Sequence, residues 1–79
     1  MVVVRYYAGA RAAAGVSEEK VEAATLADLV ATLGALHGDR LAVVLTAAAY
    51  LVDGLSWHDR SADLPDGATV DILPPFAGG

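Results

Sequence analysis

In "TLADLVATLGALHG", residues 25–38, Leu26, Leu29, Val30, Leu33 and Leu36 recur at helical spacing and make one apolar stripe. A helix with a single apolar side must cover it with another element, and no other stretch keeps this period convincingly. The flanking segments carry strand patterns, so the helix is expected to lie on a sheet. Thr25 stands at the N-cap position, where its hydroxyl can accept from a free backbone N–H of the first turn. Asp28, three residues on, favours the positive helix end and can answer back to the cap. Gly34 weakens the middle of the helix, and Gly38 is placed to end it.

Ahead of this helix, Val2, Val3, Val4, Tyr6 and Tyr7 are β-branched or aromatic and predict a strand over residues 2–7. "GARAAAG", from Gly9 to Gly15, predicts one or two helical turns closed by glycine. "SEEKVEAA" alternates weakly and suits a half-solvated strand that pairs with the first as a hairpin. After the helix, "DRLAVVLT" fits a short helix through Leu41, Val44 and Leu45, although its valines also fit a strand. The short helix is the preferred reading. Asp53-Gly54 sits between two apolar runs and favours a two-residue hairpin turn. Leu64 is a candidate anchor in the polar connection, and Asp66-Gly67 turns the chain into "ATVDIL", where Val70 and Ile72 face one way and Asp71 the other. The expected architecture is α+β: a β-grasp (ubiquitin-like) mixed sheet packed on one main helix, in preference to a ferredoxin-like split βαβ.

The 79 residues allow a single domain, and a domain this small buries only roughly 60% of the surface of its unfolded chain. There are no cysteines, so disulfides, thiolate zinc sites and iron–sulfur clusters are excluded, and the apolar 56% of the chain must supply the core. Net charge is −5, and the five basic residues Arg5, Arg11, Lys20, Arg40 and Arg60 are scattered. No cationic stripe is available for a phosphate backbone, so nucleic acid is not an expected partner. The longest uncharged run, residues 41–52, falls well short of the ~20 residues of a membrane span. No export signal is apparent at the start, and a cytoplasmic domain without membrane contact is expected.

The chain closes with "DILPPFAGG", residues 71–79. Pro74 has no N–H to give a sheet, so pairing should stop near Leu73, and Pro75 favours an extended path. The division expected is a domain over residues 1–73 and an extended tail over 74–79. Fully extended, these six residues reach about 20 Å at ~3.3 Å each, enough to enter another protein's active site. Phe76 is the tail's one large apolar anchor, and it suits either a partner's pocket or a fold-back onto its own sheet. Ala77, Gly78 and Gly79 form a narrow tip on which Gly78 permits close backbone approach.

These residues resemble the MoaD/ThiS-type sulfur carriers, a ubiquitin-like β-grasp group whose members end in Gly-Gly. Length and element order agree along essentially the whole chain, and "ILPPFAGG" is most similar to the MoaD branch, the small subunit of molybdopterin synthase. Arg11, in "YYAGARAAAG", fits that branch's aromatic, alanine, arginine pattern, with Ala12 where an acidic residue often follows. The resemblance implies that an ATP-dependent adenylating enzyme, MoeB/ThiF-like, activates the carboxylate of Gly79 as its AMP anhydride. Sulfur then replaces AMP to give a thiocarboxylate, which a MoaE-like or other synthase accepts. AMP and the thiocarboxylate would be transient modifications, with no resident cofactor. Pro74, Pro75, Phe76, Ala77, Gly78 and Arg11 are the implied partner-binding residues.

Three other readings stand beside it. They are a sulfur carrier for thiamine, cysteine or another thio-metabolite, a protein modifier conjugated through Gly79, and a plain interaction module with an incidental Gly-Gly end. His37 and His58 lack ligand-spaced partners, so a metal site is not expected, and His37 is assigned to free carbonyls at the helix end. Ser17-x-x-Lys20 reads as a solvated turn and edge. Trp57, Tyr6, Tyr7 and Tyr50 are mainly core candidates, and some of them could instead line an exposed sheet face that binds the partner. No acid, base and nucleophile occur together in a pattern that could run a reaction alone, so the protein is expected to be acted upon.

Overall fold

The computed structural model describes residues 1–75. Its elements are β1 (Val2–Tyr6), α1 (Ala8–Ala14), β2 (Glu18–Val21), α2 (Leu26–His37), α3 (Asp39–Ala47), β3 (Ala49–Val52), β4 (Leu55–Trp57) and β5 (Thr69–Leu73). The strands form one sheet in the order β2-β1-β5-β3-β4. β1 and β5 run parallel at its centre, with Val4 opposite Val70 and Arg5 opposite Asp71, and the other pairings are antiparallel. A mixed sheet covered by helices on one face is the expected β-grasp architecture.

Period-two alternation explains how the sheet divides its residues. Val2, Val4 and Tyr6 of β1, Tyr50 and Val52 of β3, and Val70 and Ile72 of β5 all enter one buried cluster. The helices add Ala10, Leu26, Leu29, Leu33, Leu41 and Leu45 to it. Each fully buried leucine contributes about 1.5–3 kcal/mol, so the Leu side chains of α2 and α3 carry a large part of what holds this cysteine-free domain together. Leu64 is buried as expected and closes the cluster from the β4–β5 connection.

Local signals act where the sequence placed them. The backbone N–H of Asp28 donates to Thr25 Oγ1 at 3.1 Å, and Gly38, at φ +90°, ends α2 with its N–H on the Gly34 carbonyl. Asp53 and Gly54 take φ +49° and +85°, the doubly left-handed turn anticipated between β3 and β4. That turn is also tied to β5, because the Asp53 N–H donates to the Thr69 carbonyl and Asp53 Oδ1 accepts from the Thr69 N–H.

Several expectations need correction. The first strand stops at Tyr6, since Tyr7 already serves as N-cap of α1. Leu36 belongs to the sequence stripe but is 59% exposed, because the apolar arc is wider than the area the sheet and α3 cover. The Asp28 carboxylate does not return a hydrogen bond to Thr25, so only the hydroxyl half of the cap exchange forms among the described residues. His37 does not bond helix-end carbonyls. Its Nε2 meets Glu19 Oε2 on β2 at 2.5 Å, because the end of α2 lies against the β1–β2 hairpin. Tyr6 donates to the same carboxylate oxygen at 2.6 Å. Tyr7 leaves the core for the surface, while Tyr6 and Tyr50 are buried and Trp57 is half-buried.

Candidate functional site

The site is built outward from β5. Val70 and Ile72 are fully buried and fasten this strand between β1 and β3, so its end is held by the strongest part of the sheet. Sheet pairing finishes with Leu73 opposite Ala49 and with the Tyr7 N–H on the Ile72 carbonyl. Pro74, which has no N–H, follows immediately, half-buried, and Pro75 is exposed. The chain therefore leaves the sheet from the end of its central strand.

Two junctions flank that exit. The β1–α1 junction supplies Tyr7, Ala8 and Gly9, and the α3–β3 junction supplies Ala47 and Ala49. With Leu73, Pro74 and Pro75 they line an open, predominantly apolar groove of about 530 Å³. Its depth follows from small side chains, since alanine and glycine occupy positions where larger residues would fill the space. Ala8 takes φ +49°, an uncommon backbone state for a residue with a Cβ.

On the helix-free face of the sheet, just before the exit, lies a charged cluster. Arg5 donates from Nε to Asp71 Oδ1 at 2.7 Å and from a terminal nitrogen to Oδ2 at 3.1 Å, and the Tyr7 hydroxyl is 3.5 Å from Oδ1. Asp71 faces away from the helices as the alternation requires, yet it is only 7% exposed because these neighbours cover it. The carboxylate in turn holds the Arg5 guanidinium above its usual pKa, by hydrogen bonding first and by charge second. A two-pronged contact of this kind fixes both side chains in one geometry.

The structure brings Pro74 and Pro75 together at the groove. Arg11 lies elsewhere: it is exposed on α1 and borders a smaller depression with Arg5, Tyr6, Tyr7, Ser17 and Glu18. Tyr7 borders both depressions. Phe76, Ala77, Gly78 and Gly79 fall outside the described residues. Sequence reasoning missed the Arg5–Asp71 pair and the small residues Ala8, Gly9, Ala47 and Ala49. Opposite charges at alternating positions of the first and last predicted strands were an available signal for the pair. The groove had none, since it requires knowing which junctions meet. No cluster of metal-binding side chains occurs among the described residues.

The model of the ThiS family matches residues 4–79. The chain belongs to the ThiS family. No curated protein sequence matches this ThiS-family chain. Among solved structures, it is similar to a Pyrococcus furiosus protein described as molybdopterin converting factor, subunit 1. That likeness has a TM-score of 0.77 at 26% identity and covers 95% of this chain and 97% of the other. It is also similar to a Helicobacter pylori structure, a complex of subunits 1 and 2 of molybdopterin-converting factor, at TM-score 0.75 and 24% identity, covering 99% and 97%. The small archaeal modifier protein 1 of Methanosarcina acetivorans superposes with TM-score 0.84 at 22% identity, covering 99% and 95%. At such identities the last two establish the shared fold alone. The ThiS-family chain thus has a ubiquitin-like β-grasp fold whose last strand ends beside an apolar groove.

Proposed function

We propose that this protein is a sulfur carrier of the molybdopterin type, with Gly79 as the residue that bears the sulfur. The observation that carries the reading is the family match running through the Gly-Gly end to residue 79, on a fold whose central strand leads directly into Pro74-Pro75. A carboxylate is a poor electrophile, because its charge repels nucleophiles and it has no good leaving group. In the proposed first step a Gly79 carboxylate oxygen attacks the α-phosphorus of ATP on an adenylating enzyme, and pyrophosphate leaves. A sulfide-level donor then attacks the acyl carbon, AMP departs, and a thiocarboxylate remains.

The chain's own residues supply delivery. β5 anchors the arm, Pro74 and Pro75 restrict its conformations before binding, and Gly78 admits the backbone to a narrow channel. The likeness to the Pyrococcus furiosus subunit 1 supports the molybdopterin acceptor, and the Helicobacter pylori complex supports docking on a second subunit. The deciding experiment is the intact mass of the protein from its own cells under gentle, non-alkaline conditions, with the C-terminal peptide fragmented. Replacement of one oxygen by sulfur at Gly79 is expected. A free carboxylate even after incubation with ATP, activator and sulfur source would overturn the reading. High-mass adducts that resist reduction and vanish on deletion of Gly79 would replace it with protein modification, the role for which the small archaeal modifier protein of Methanosarcina acetivorans is named.

A further inference from the structure

At the end of the β3–β4 ladder lies a separate depression of about 210 Å³, with Ala48, Ala49 and Trp57 on its apolar side and Ser56, His58 and Arg60 on its polar side. The Arg60 guanidinium sits over the ring of Tyr50, 5.3 Å from its centroid. That ring is a fixed platform, since Tyr50 is buried and its hydroxyl donates to the Leu45 carbonyl at 2.8 Å. The Arg60 backbone is fixed too, because its carbonyl accepts from the Ala27 N–H at the start of α2. Attraction between a cation and a ring face uses the charge and leaves the N–H donors available. Among the described residues, the ion pairs engage Met1, Arg5 and His37 and leave Arg60 without one. Its neighbour Asp59 is turned to Ser61, whose hydroxyl and N–H donate to Oδ1 at 2.7 and 2.9 Å. Those bonds, the hydroxyl's first, hold Asp59 below the ordinary carboxylate range. We propose that this depression binds a carboxylate, with the Arg60 fork on its oxygens and its short carbon stem on Ala48, Ala49 and Trp57.

Size and wall chemistry select this class. Sites for drug-sized ligands run to about 300–1,000 Å³, so a smaller depression suits a small ion or a single side chain. A planar guanidinium matches the two oxygens of a carboxylate. Phosphate would press further charged oxygens against the alanines and the indole, where they lose water and gain no donor. Ser56 Oγ and His58 Nε2, 3.4 Å apart, add polar groups on the side away from the alanines. The place also matters. Ala49 borders both this depression and the groove at Pro74 and Pro75, and it pairs with Leu73, so a carboxylate held here sits beside the root of the arm. The chain as a whole carries a charge of −5 and repels anions, and a preplaced arginine supplies a local attraction that fixes where one enters. A free small carboxylate and the side chain of a glutamate on a docked protein present the same chemistry. The inference does not depend on the sulfur chemistry of Gly79.

The test is a nuclear magnetic resonance titration of the full chain with propionate, which reproduces the glutamate side chain, exchanged against chloride at constant pH and ionic strength. Trp57 is the only tryptophan, so the single indole N–H signal reports the site. A saturable shift of that signal and of the Ala48 and Ala49 amides is expected. Arg60→Gln should weaken binding by about tenfold or more. It leaves the backbone bond to Ala27 in place, and an unchanged melting curve verifies the fold. Arg60→Lys should bind at an intermediate strength, and Arg40→Gln, exposed on α3, should bind as the wild type does. A blocked glutamate, N-acetyl-glutamate methylamide, separates the sources: tighter binding than propionate assigns the site to a protein side chain, and weaker binding assigns it to a free carboxylate. Shifts that rise without saturating, a folded Arg60→Gln variant that binds equally well, or phosphate binding as tightly as propionate would each overturn the proposal. The Gly79 mass measurement has a separate readout, so either idea can fail alone.

Discussion

Asp71 illustrates how one residue can follow a sequence pattern and still surprise. Its position in "TVDIL" correctly turned it away from Val70 and Ile72, but solvent exposure does not follow from facing the open side of a sheet. Its partner Arg5 is 66 residues away, and the parallel β1–β5 register sets the two opposite each other. Removing Arg5 leaves an almost covered carboxylate without its main partner, which costs more than the pair itself contributes. Arg5→Ala should therefore lower the melting temperature more than Asp71→Asn, in which the amide still finds donors nearby. Comparative thermal denaturation reads this directly.

Two buried phenols make a pH prediction at the same scale. Burial, followed by the hydrogen bond to Glu19, holds Tyr6 well above the usual tyrosine value of 10.0, and burial raises Tyr50 as well. The unfolded chain loses these protons near pH 10 while the folded chain keeps them. The stabilisation is thus complete below about pH 10 and declines as pH rises beyond it, with unfolding releasing protons. Ultraviolet phenolate absorbance should show Tyr6 and Tyr50 ionising together with loss of helical circular dichroism. Ionisation of all tyrosines in the intact fold would contradict it.

At the scale of elements, α2 offers the cleanest tests. Thr25→Ala removes the one side-chain cap of the helix and should cost about 1 kcal/mol in urea denaturation. Gly34 has no positive φ, and a Cβ added there would lie 3.6 Å from that of Ala42, an ordinary contact. Gly34→Ala is therefore expected to stabilise the protein by about 0.5–1 kcal/mol through helix propensity alone. Gly38→Ala should do the opposite, because φ is +90° at that position. A stabilised Gly38→Ala variant would mean that the α2–α3 junction tolerates another backbone path. Most elements were legible because their signals are local: period 3.6 in α2, the Asp53-Gly54 turn, and valines bounded by glycine in β1. Leu36 and His37 were misread because whether a helix residue meets a strand depends on where the hairpin ends.

For the whole molecule, the firm anchoring of β5 and its position before the tail separate stability from chemistry. Deleting Gly79 should leave the thermal melting curve nearly unchanged while abolishing sulfur loading, and a collapse of the melt would instead make the end a structural part of the domain. The composition and the periods of its segments were sufficient to decide that this chain must bury one helical stripe on a small sheet without covalent help. "LPP" was also sufficient to end the last strand, because proline's missing N–H is a local fact. Strand order, the Arg5–Asp71 pair and the groove at the exit were decided only in the folded chain. Each depends on segments brought together from far apart in sequence, and pairing between such segments is set by burial of the whole core, which no single stretch encodes.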